Sequence, residues 1–367
     1  MARTILFTGF PGFIGKRLSS KLLADDPRAH VICLVQSKFL GQARTEAERI
    51  RTELRLPAEQ LTCTTGDITD PRLGLAGQYD DLCARVNEVW HLAAIYDLAV
   101  AEELARKVNV DGTRHVLAFC RACKVLNLLV HFSTAYVAGT RSGLVRENEL
   151  IMGQSFKNNY EATKFAAEVY VRMEMDKGLP AIVIRPAIVV GDSRTGETDK
   201  FDGPYYAFKM LSKLNVKGLR VKMPLLGPSA AEANLVPVDF LVDATVALAK
   251  KRDAVGKTFH MADPMPLRAA ELYDLACRLV LGRGAASYSV PAALAEKALH
   301  IDALRHWLGV PAEAVAYFNH KVKLDSSQTT ALLEGTGVKL PRVREYFPVL
   351  YQYWLAHKDE LGYAPKA

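Results

Sequence analysis

Short β-branched runs alternate with longer amphipathic stretches through the first half of the chain. The runs that predict strands are Thr4–Thr8, Val31–Val35, Leu61–Thr65, Glu88–Leu92, Leu128–Ser133 and Ala181–Arg185. Apolar residues at three- and four-residue spacing predict helices between them, near Phe13–Leu23, Gln42–Leu54, Glu102–Cys123 and Tyr160–Lys177. This alternation is typical of a parallel sheet wound by crossover helices. Ligands of such folds bind at the carboxyl ends of the strands.

The regular alternation ends after Arg185. Turn-forming residues dominate 191–196, 201–204 and the long loop predicted at 224–234. Later segments with strand or helix character are 235–239, 240–251, the run Thr258–Met261 that is predicted to rejoin the sheet, and the mostly helical remainder from Leu267.

The chain shows no internal repeat and no low-complexity linker, so its two regions are predicted to be interleaved. We predict an α/β fold with a doubly wound, parallel Rossmann-type sheet, formed by residues 1–190 and 235–265. A smaller, mostly helical substrate-binding region is predicted from residues 191–234 and 266–367.

Composition places the chain among ordinary globular proteins. Of its 367 residues, 50% are hydrophobic and 24% are charged, which suits one large or two modest domains. Six cysteines in so long a chain do not form a disulfide framework and favour a reducing compartment. The apolar start Ile5–Phe7 is too short for a secretion signal, and longer apolar stretches are interrupted before the roughly 20 residues that cross a bilayer. We predict a soluble cytoplasmic protein without a transmembrane segment.

A formal charge of +7 and a pI near 9.0 favour anionic partners. The basic residues are scattered and lack the compact runs with interleaved aromatics that are typical of nucleic-acid binding. Cys120 and Cys123 have the spacing of a metal or redox pair, but a structural zinc needs four ligands and no second pair lies nearby. We therefore predict neither a nucleic-acid partner nor a metal site.

The C-terminal stretch 343–357 carries apolar side chains at helical spacing, namely Phe347, Leu350, Tyr351 and Trp354. Packing of this stripe on the body of the protein is the simpler interpretation. Contact with a membrane surface or an acyl chain is the alternative, so a peripheral membrane contact stays open.

A glycine-rich turn follows the first predicted strand and opens the first helix. Gly9 permits a sharp turn, Gly12 lets the backbone approach a pyrophosphate, and Gly15 allows close packing of helix on strand. The helix N-terminus offers unpaired N–H groups and partial positive charge to phosphates. We predict a dinucleotide site formed by Thr8, Gly9, Phe10, Pro11, Gly12, Phe13, Ile14 and Gly15.

The end of the second strand indicates which nicotinamide cofactor binds. An acidic residue there would bind a ribose 2′-hydroxyl and repel a 2′-phosphate, but the chain has Gln36, Ser37 and Lys38. Ser37 and Lys38, aided by Arg17 or Arg44, are predicted to hold the extra phosphate of NADP. The alternative is that these cations are simply solvated.

Tyr160 and Lys164 are four residues apart in a predicted helix and therefore share one face. A lysine cation near a phenol favours the phenolate, so we expect Lys164 to lower the pKa of Tyr160 and make it a usable acid or base. The pair follows a strand that ends in the hydroxyls of Ser133 and Thr134, where a hydroxyl can donate to a carbonyl oxygen as charge develops. Capping of the strand end is the alternative role of these hydroxyls.

Over about its first 260 residues the chain resembles the extended short-chain dehydrogenase/reductases. The resemblance rests on the glycine turn, on Gly66-Asp67-Ile68, on His91-Leu92-Ala93-Ala94, on Asn109 in the following helix, and on the Tyr160/Lys164 pair. It implies that Thr134 is the triad hydroxyl with Ser133 as its neighbour, that Tyr160 is the acid/base, and that Lys164 also holds the nicotinamide ribose. The further cofactor contacts that it implies are Asp67, Ile68, Leu92, Ala93, Ala94, Asn109, Pro186, Ala187, Ile188 and Val189.

Two later segments, 184–196 and 234–240, together with the run Ser133–Val137, resemble the branch that reduces acyl thioesters. This branch includes fatty acyl-CoA reductases and the reductase domains of carboxylic acid reductases. Gln36 departs from the pattern, because an arginine for the 2′-phosphate often stands there.

These patterns predict an NADPH-dependent reductase of an acyl-CoA or carrier-bound acyl thioester, with an aldehyde as product and an alcohol after a second round. A two-electron ketone or aldehyde reductase, or a hydroxyl dehydrogenase, is the first alternative. A sugar-nucleotide epimerase shares the fold, but the absence of an acid after the second strand disfavours the tightly bound NAD that it needs. A non-catalytic NADP sensor would have no need of Tyr160 and Lys164.

Overall fold

A seven-stranded, fully parallel sheet lies at the centre of the computed structural model, which describes residues 3–214, 225–226, 231–285, 289–290 and 321–361. In chain order the strands are β1 (Thr4–Thr8), β2 (His30–Val35), β3 (Leu61–Thr65), β4 (Glu88–His91), β5 (Leu128–Phe132), β6 (Gly143–Val145), β7 (Ala181–Pro186), β8 (Ile188–Val190), β9 (Leu225–Leu226), β10 (Glu232–Ala233), β11 (Leu235–Pro237), β12 (Thr258–Met261), β13 (Leu267–Arg268), β14 (Ser289–Val290) and β15 (Val322–Leu324). The order across the main sheet is β12-β7-β5-β4-β1-β2-β3, and the other strands form two-stranded pairs.

The predicted doubly wound parallel sheet is confirmed. All six strands predicted in the first half of the chain are present, with ends that differ by at most one residue from the prediction. Thr258–Met261 joins the sheet edge beside β7, as predicted. The segment 235–239 behaves differently, since β11 pairs with β8 outside the main sheet and α-helix begins at Val238. The division into two interleaved domains stays a prediction.

The helices are α1 (Phe13–Asp25), α2 (Leu40–Leu54), α3 (Tyr79–Arg85), α4 (Glu102–Ala105), α5 (Gly112–Ala122), α6 (Asn159–Asp176), α7 (Tyr205–Leu214), α8 (Val238–Ala249), α9 (Ala269–Leu281), α10 (Ser327–Leu333) and α11 (Val343–His357). The single helix predicted over Glu102–Cys123 is interrupted by a π-helical segment, Arg106–Asp111. Such segments often mark functional positions, and this one carries Asn109.

Helices cover both faces of the sheet because each strand is apolar on both sides. Leu18 of α1, Ile50 of α2 and Leu241 of α8 pack in one core. Val116 of α5 and Val171 of α6 pack in the core on the opposite face. Nearly continuous apolar strands of this kind are expected when crossover helices bury a parallel sheet on both sides.

A third core lies outside the sheet, where α7, α9 and α11 pack together. Phe347, Leu350 and Trp354 of α11 are buried there, and the Phe208 ring of α7 lies 5.0 Å from that of Phe347. These three side chains contact protein, so the packing interpretation of the C-terminal stripe is the one that the structure bears out.

Some predicted features lie outside the described residues, including part of the loop 224–234 and residues 291–320 of the C-terminal remainder. Within the described segments, no helix combines the length and apolar character needed to cross a membrane.

Gly15 has no room for a side chain. A Cβ atom on it would lie 2.3 Å from the backbone oxygen of Gly9. We expect Gly15→Ala to lower the free energy of unfolding by about 1–3 kcal/mol, because the helix must move away from the turn, and to weaken dinucleotide binding with it.

The matched control is Gly41→Ala at the start of α2, where an added Cβ meets no atom within 4 Å. That change is expected to raise stability by up to about 1 kcal/mol. Urea unfolding measures both, and equal effects of the two substitutions would contradict the role assigned to Gly15.

Candidate active site

The glycine turn at the carboxyl end of β1 forms a cradle that fits a dinucleotide. Gly9 has a φ of +93°, and a Cβ there would lie 2.8 Å from the Cβ of Leu92. Gly12 caps α1 without any side-chain hydrogen bond, so no side chain occupies the N–H groups of the first turn. These N–H groups and the helix dipole are suited to a pyrophosphate.

Thr8 connects this turn to the segment after β4. Its hydroxyl accepts hydrogen bonds from the backbone N–H groups of Leu92 and Ala93, at 3.2 Å each, and lies 2.8 Å from His91 Nδ1. Leu92 and Ala93 therefore lie beside the glycine turn, and the contact of Leu92, Ala93 and Ala94 with a cofactor stays a prediction.

Asn109 fixes the same segment from the other side. Its Oδ1 accepts from the N–H of Ile95 at 2.9 Å, and its Nδ2 donates to Thr163 Oγ1 of α6 at 3.1 Å. The side chain is 1% exposed. Asn109 therefore links the segment after β4 to the catalytic helix, and its side-chain atoms point to protein partners.

The carboxyl ends of β2 and β3 meet at Gln36 and Asp67. Gln36 Nε2 donates to Asp67 Oδ2 at 2.7 Å, and the other Asp67 oxygen accepts from the N–H of Thr69 at 2.8 Å. Asp67 after β3 therefore lies beside Gln36 after β2, with both carboxylate oxygens bonded to protein donors. Ile68 next to it is buried.

Of the four side chains predicted to hold a 2′-phosphate, three are exposed and Arg17 is bonded to other residues. Ser37 and Lys38 are exposed, in a short 3₁₀ turn after β2, and Arg44 is exposed on α2. Arg17 is held elsewhere, because its guanidinium donates to Glu197 at 2.8 Å and to the Phe13 carbonyl at 3.1 Å.

Helix α6 presents Tyr160 and Lys164 to the end of β5. Asn158 caps the helix by accepting from the N–H of Glu161 at 2.9 Å, so the helix begins at Asn159, one residue before Tyr160. Tyr160 shares a hydrogen bond with Thr134, and Lys164 Nζ donates to the Phe132 carbonyl at 2.6 Å. The predicted hydroxyl, tyrosine and lysine therefore come together.

The two hydroxyls at the end of β5 differ in their partners. Thr134 Oγ1 faces Tyr160 and also accepts from the N–H of Tyr136 at 3.3 Å, so it caps the following 3₁₀ turn as well. Ser133 Oγ donates to Glu168 Oε2 at 2.6 Å. Because a hydroxyl has one proton, Ser133 directs its proton to Glu168 and Thr134 is the hydroxyl suited to a carbonyl oxygen.

Burial has the largest effect on the pKa values of Tyr160 and Lys164. Burial raises the pKa of Tyr160 to about 12, against the smaller effect of the Thr134 hydrogen bond. Burial also lowers the pKa of Lys164 to about 8, against the attraction of Glu168. The expectation that Lys164 lowers the pKa of Tyr160 is not met, since desolvation of the phenol outweighs other effects. A phenol that keeps its proton at neutral pH is a proton donor.

The segment after β7 closes the site beside β5. Ala187 donates its N–H to the Met261 carbonyl at 3.0 Å and is buried, as is Pro186. Ile188 and Val189 are half-buried in β8. The Ser133 N–H donates to the Ile184 carbonyl at 2.7 Å, so the end of β7 lies beside the end of β5.

The sequence analysis missed Glu168 and Arg185. The Arg185 guanidinium donates to the Glu168 carboxylate at 2.7 and 2.9 Å, and the two side chains are 1% and 0% exposed. Arg185 and Ser133 together hold the pKa of Glu168 below its ordinary value, although burial opposes this. Glu168 is eight residues after Tyr160 and thus on the same helix face, which was the available signal.

His91 is a buried imidazole next to Lys164. Burial, with a smaller contribution from the Lys164 charge, lowers its pKa from 6.5 to about 3. Below about pH 6.5 the unfolded chain therefore binds a proton on His91 that the folded chain does not bind. The free energy of unfolding falls as the pH falls from about 6.5 towards 3. Between pH 7 and pH 5 we expect the free energy of unfolding to fall by about 2 kcal/mol through this residue.

Urea unfolding of the wild type and of His91→Gln at both pH values measures this loss. The variant is expected to lose less stability than the wild type between pH 7 and pH 5. An identical loss in both proteins would rule out His91 as its source.

A family model described as male sterility protein matches residues 7–245. The chain therefore belongs to this family of NAD-binding domains, within the extended short-chain dehydrogenase/reductases.

Two curated relatives illustrate the family. A linear gramicidin synthase of Brevibacillus parabrevis is 29% identical over 273 residues, which are 71% of this chain and 5% of that protein. Fatty acyl-CoA reductase 1 of Xenopus laevis is 27% identical over 286 residues, which are 67% of this chain and 54% of that protein. The chain thus spans only part of the length of either relative.

Among solved structures, the terminal R domain from the myxalamid PKS-NRPS biosynthetic pathway superimposes with a TM-score of 0.80 and 26% identity, covering 97% of this chain and 91% of that one. Fold, site and relatives together define the class of protein. It is an oxidoreductase of the extended short-chain dehydrogenase/reductase type that uses a nicotinamide cofactor.

Proposed function

We propose that this protein is an NADPH-dependent reductase of acyl thioesters. The observation that carries the proposal is the convergence of Thr134, Tyr160 and Lys164 at the carboxyl end of β5. The site lies beside a glycine cradle suited to a dinucleotide. The names of the relatives support the substrate class, because one is a fatty acyl-CoA reductase and another is the R domain of a PKS-NRPS pathway.

In this proposal the carbonyl oxygen of the thioester lies between Thr134 and Tyr160. The glycine turn would hold the pyrophosphate of a nicotinamide cofactor and Lys164 its ribose, and the cofactor would supply the hydride. Tyr160 donates its proton to the oxygen as negative charge develops, and Thr134 stabilises that charge by a hydrogen bond. The resulting hemithioacetal breaks its carbon–sulfur bond, which releases an aldehyde and a free thiol. Reduction of the aldehyde by a second hydride and proton would give the alcohol.

Lys164 is one helical turn after Tyr160 on the same face of α6. In this scheme its cation would stabilise the phenolate left after proton transfer. The bond from Nζ to the Phe132 carbonyl fixes its position at the end of β5.

We propose that NADPH is preferred over NADH. Ser37 and Lys38 are exposed just after β2, where a 2′-phosphate would lie, and a phosphate gains charge-assisted hydrogen bonds from such side chains. Lys38→Ala is expected to raise KM for NADPH about ten-fold, the loss of one charged hydrogen bond. Its KM for NADH is expected to stay unchanged, and an equal rise for both cofactors would contradict this preference.

The test of the function is NADPH oxidation with matched panels of acyl-CoA and acyl-carrier thioesters, with release of free thiol measured in parallel. One thiol per NADPH indicates the aldehyde as product, and one thiol per two NADPH indicates the alcohol. Oxidation of NADPH by aldehydes or ketones, without reaction of any thioester, would replace the proposal by a two-electron carbonyl reductase. Binding of NADPH without turnover of any carbonyl would indicate a sensor.

A further inference from the structure

Tyr96 contacts the catalytic tyrosine although no motif marks it. It lies in the segment after β4, and its ring packs edge-on against the Tyr160 ring with centroids 5.2 Å apart and planes at 88°. Tyr160 is 7% exposed, whereas Tyr96 is 45% exposed. Tyr96 therefore covers part of the Tyr160 ring and is itself open to solvent.

The ammonium group of Lys200 lies over the Tyr96 ring. Lys200 Nζ lies 4.1 Å from the centroid of the Tyr96 ring, within the range of a cation–π contact, and 2.6 Å from Asp202 Oδ2. The Asp202 carboxylate limits where the ammonium can move. Lys200 thus favours the ring orientation in which Tyr96 packs on Tyr160.

The segment that carries Lys200 is anchored at several points. Asp199 accepts from Lys16 at 2.7 Å and Glu197 accepts from Arg17 at 2.8 Å, and both cations belong to α1. Phe201 is fully buried in the core beside α7 and α11. Residues 197–202 therefore connect the dinucleotide-binding helix to the C-terminal core and hold Lys200 over Tyr96.

The backbone just before Tyr96 is tied to α6. Asn109 accepts from the N–H of Ile95 and donates to Thr163 on α6, which carries Tyr160. An aromatic side chain whose position is already restricted loses less conformational freedom when a substrate packs on it.

We propose that Tyr96, positioned by Lys200, determines which acyl groups reach Tyr160. The ring bounds the space beside the reacting carbonyl. It therefore admits straight acyl chains in preference to acyl groups that are branched or aromatic next to the carbonyl. The proposal rests on the proposed carbonyl reduction and adds to it the residue that selects the acyl group.

The experiment measures kcat/KM for a straight-chain thioester and for a branched or aromatic thioester of equal carbon number. Tyr96→Ala is expected to raise the ratio of bulky to straight substrate about five- to ten-fold, because removing a side chain from a pocket changes selection by that order. Tyr96→Phe keeps the ring and is expected to retain the wild-type ratio. Lys200→Met is expected to shift the ratio in the same direction as Tyr96→Ala by about two- to three-fold, the size of one exposed cation–π contact.

Lys358→Met is the matched control, because Lys358 lies over another ring, Trp354, at 5.8 Å. It is expected to leave the ratio unchanged. KM for NADPH is expected to stay the same in all variants, which separates acyl selection from loss of the cofactor site. Tyr96→Leu replaces Tyr96→Ala if the alanine variant unfolds.

An unchanged ratio in Tyr96→Ala or Tyr96→Leu would overturn this inference, as would a Tyr96→Phe variant that behaves like alanine. If the wild type reduces aldehydes and no thioesters, the proposed function fails, and the same comparison with straight and branched aldehydes still decides the role of Tyr96. A wild type that reduces neither would contradict both proposals.

Discussion

Replacing Tyr160 by phenylalanine is expected to lower kcat about 10²- to 10⁴-fold, the usual contribution of a positioned acid. The change removes one hydroxyl, and with it the proton that the carbonyl oxygen needs. The ring and its contact with Tyr96 remain, so the fold and the cofactor cradle are preserved. The dissociation constant of NADPH is expected to change by less than about three-fold, because the glycine turn lies on another element.

The measurement combines steady-state kinetics with a fluorescence titration of NADPH. Tyr170→Phe is the matched control, since Tyr170 lies on the same helix and contacts Arg114 rather than the site. It is expected to retain full activity. Full turnover by Tyr160→Phe with intact cofactor binding would remove Tyr160 from the mechanism.

Arg185→Met is expected to lower the free energy of unfolding by about 3–5 kcal/mol, because it leaves a buried carboxylate without its partner. Glu168 is fully buried and accepts from Arg185, Arg172 and Ser133. Arg172 is only partly buried and donates through a single nitrogen, so it does not replace the bidentate arginine.

A double-mutant cycle tests this explanation. Adding Glu168→Gln to Arg185→Met removes the unpaired charge and is expected to restore part of the lost stability. Arg85→Met is the exposed control, because Arg85 pairs with Asp81 at 3.0 Å with both side chains more than half exposed, and it is expected to cost less than about 1 kcal/mol. A loss in Arg185→Met no larger than that of the control would show that the buried pair does not stabilise the fold.

The same pair explains why the end of β5 is rigid. Ser133 bonds to Glu168, and Lys164 bonds to the carbonyl just before Ser133. Thr134 follows directly, so its hydroxyl is placed by two contacts from one helix. A loss of the Glu168–Arg185 pair is therefore expected to lower activity as well as stability.

Much of this site could be predicted from local pattern. Alternating apolar runs indicated the parallel sheet, because buried strands and amphipathic helices have different periods. The glycine spacing after β1 indicated a cradle, since only glycine fits the close approach of Gly15 to Gly9. Tyr160 and Lys164 were paired by their spacing of four, which places them on one helix face in any fold.

Other features depended on contacts between residues far apart in sequence. Gln36 meets Asp67 only because β2 and β3 are neighbours in the sheet. The residues at the end of β2 alone therefore could not show that a carboxylate lies beside Gln36. Tyr96 and Lys200 are more than 100 residues apart and meet over Tyr160 through the anchored segment 197–202.

The pKa of Tyr160 shows most clearly which properties follow from local sequence and which follow from tertiary packing. The spacing along the chain was enough to place a phenol and a lysine on one face beside a strand that ends in hydroxyls. Tertiary packing adds that burial raises the pKa of the phenol and that Glu168 takes the proton of Ser133. Spacing along a helix is a local property of the chain, whereas desolvation and long-range pairing depend on which elements pack against it.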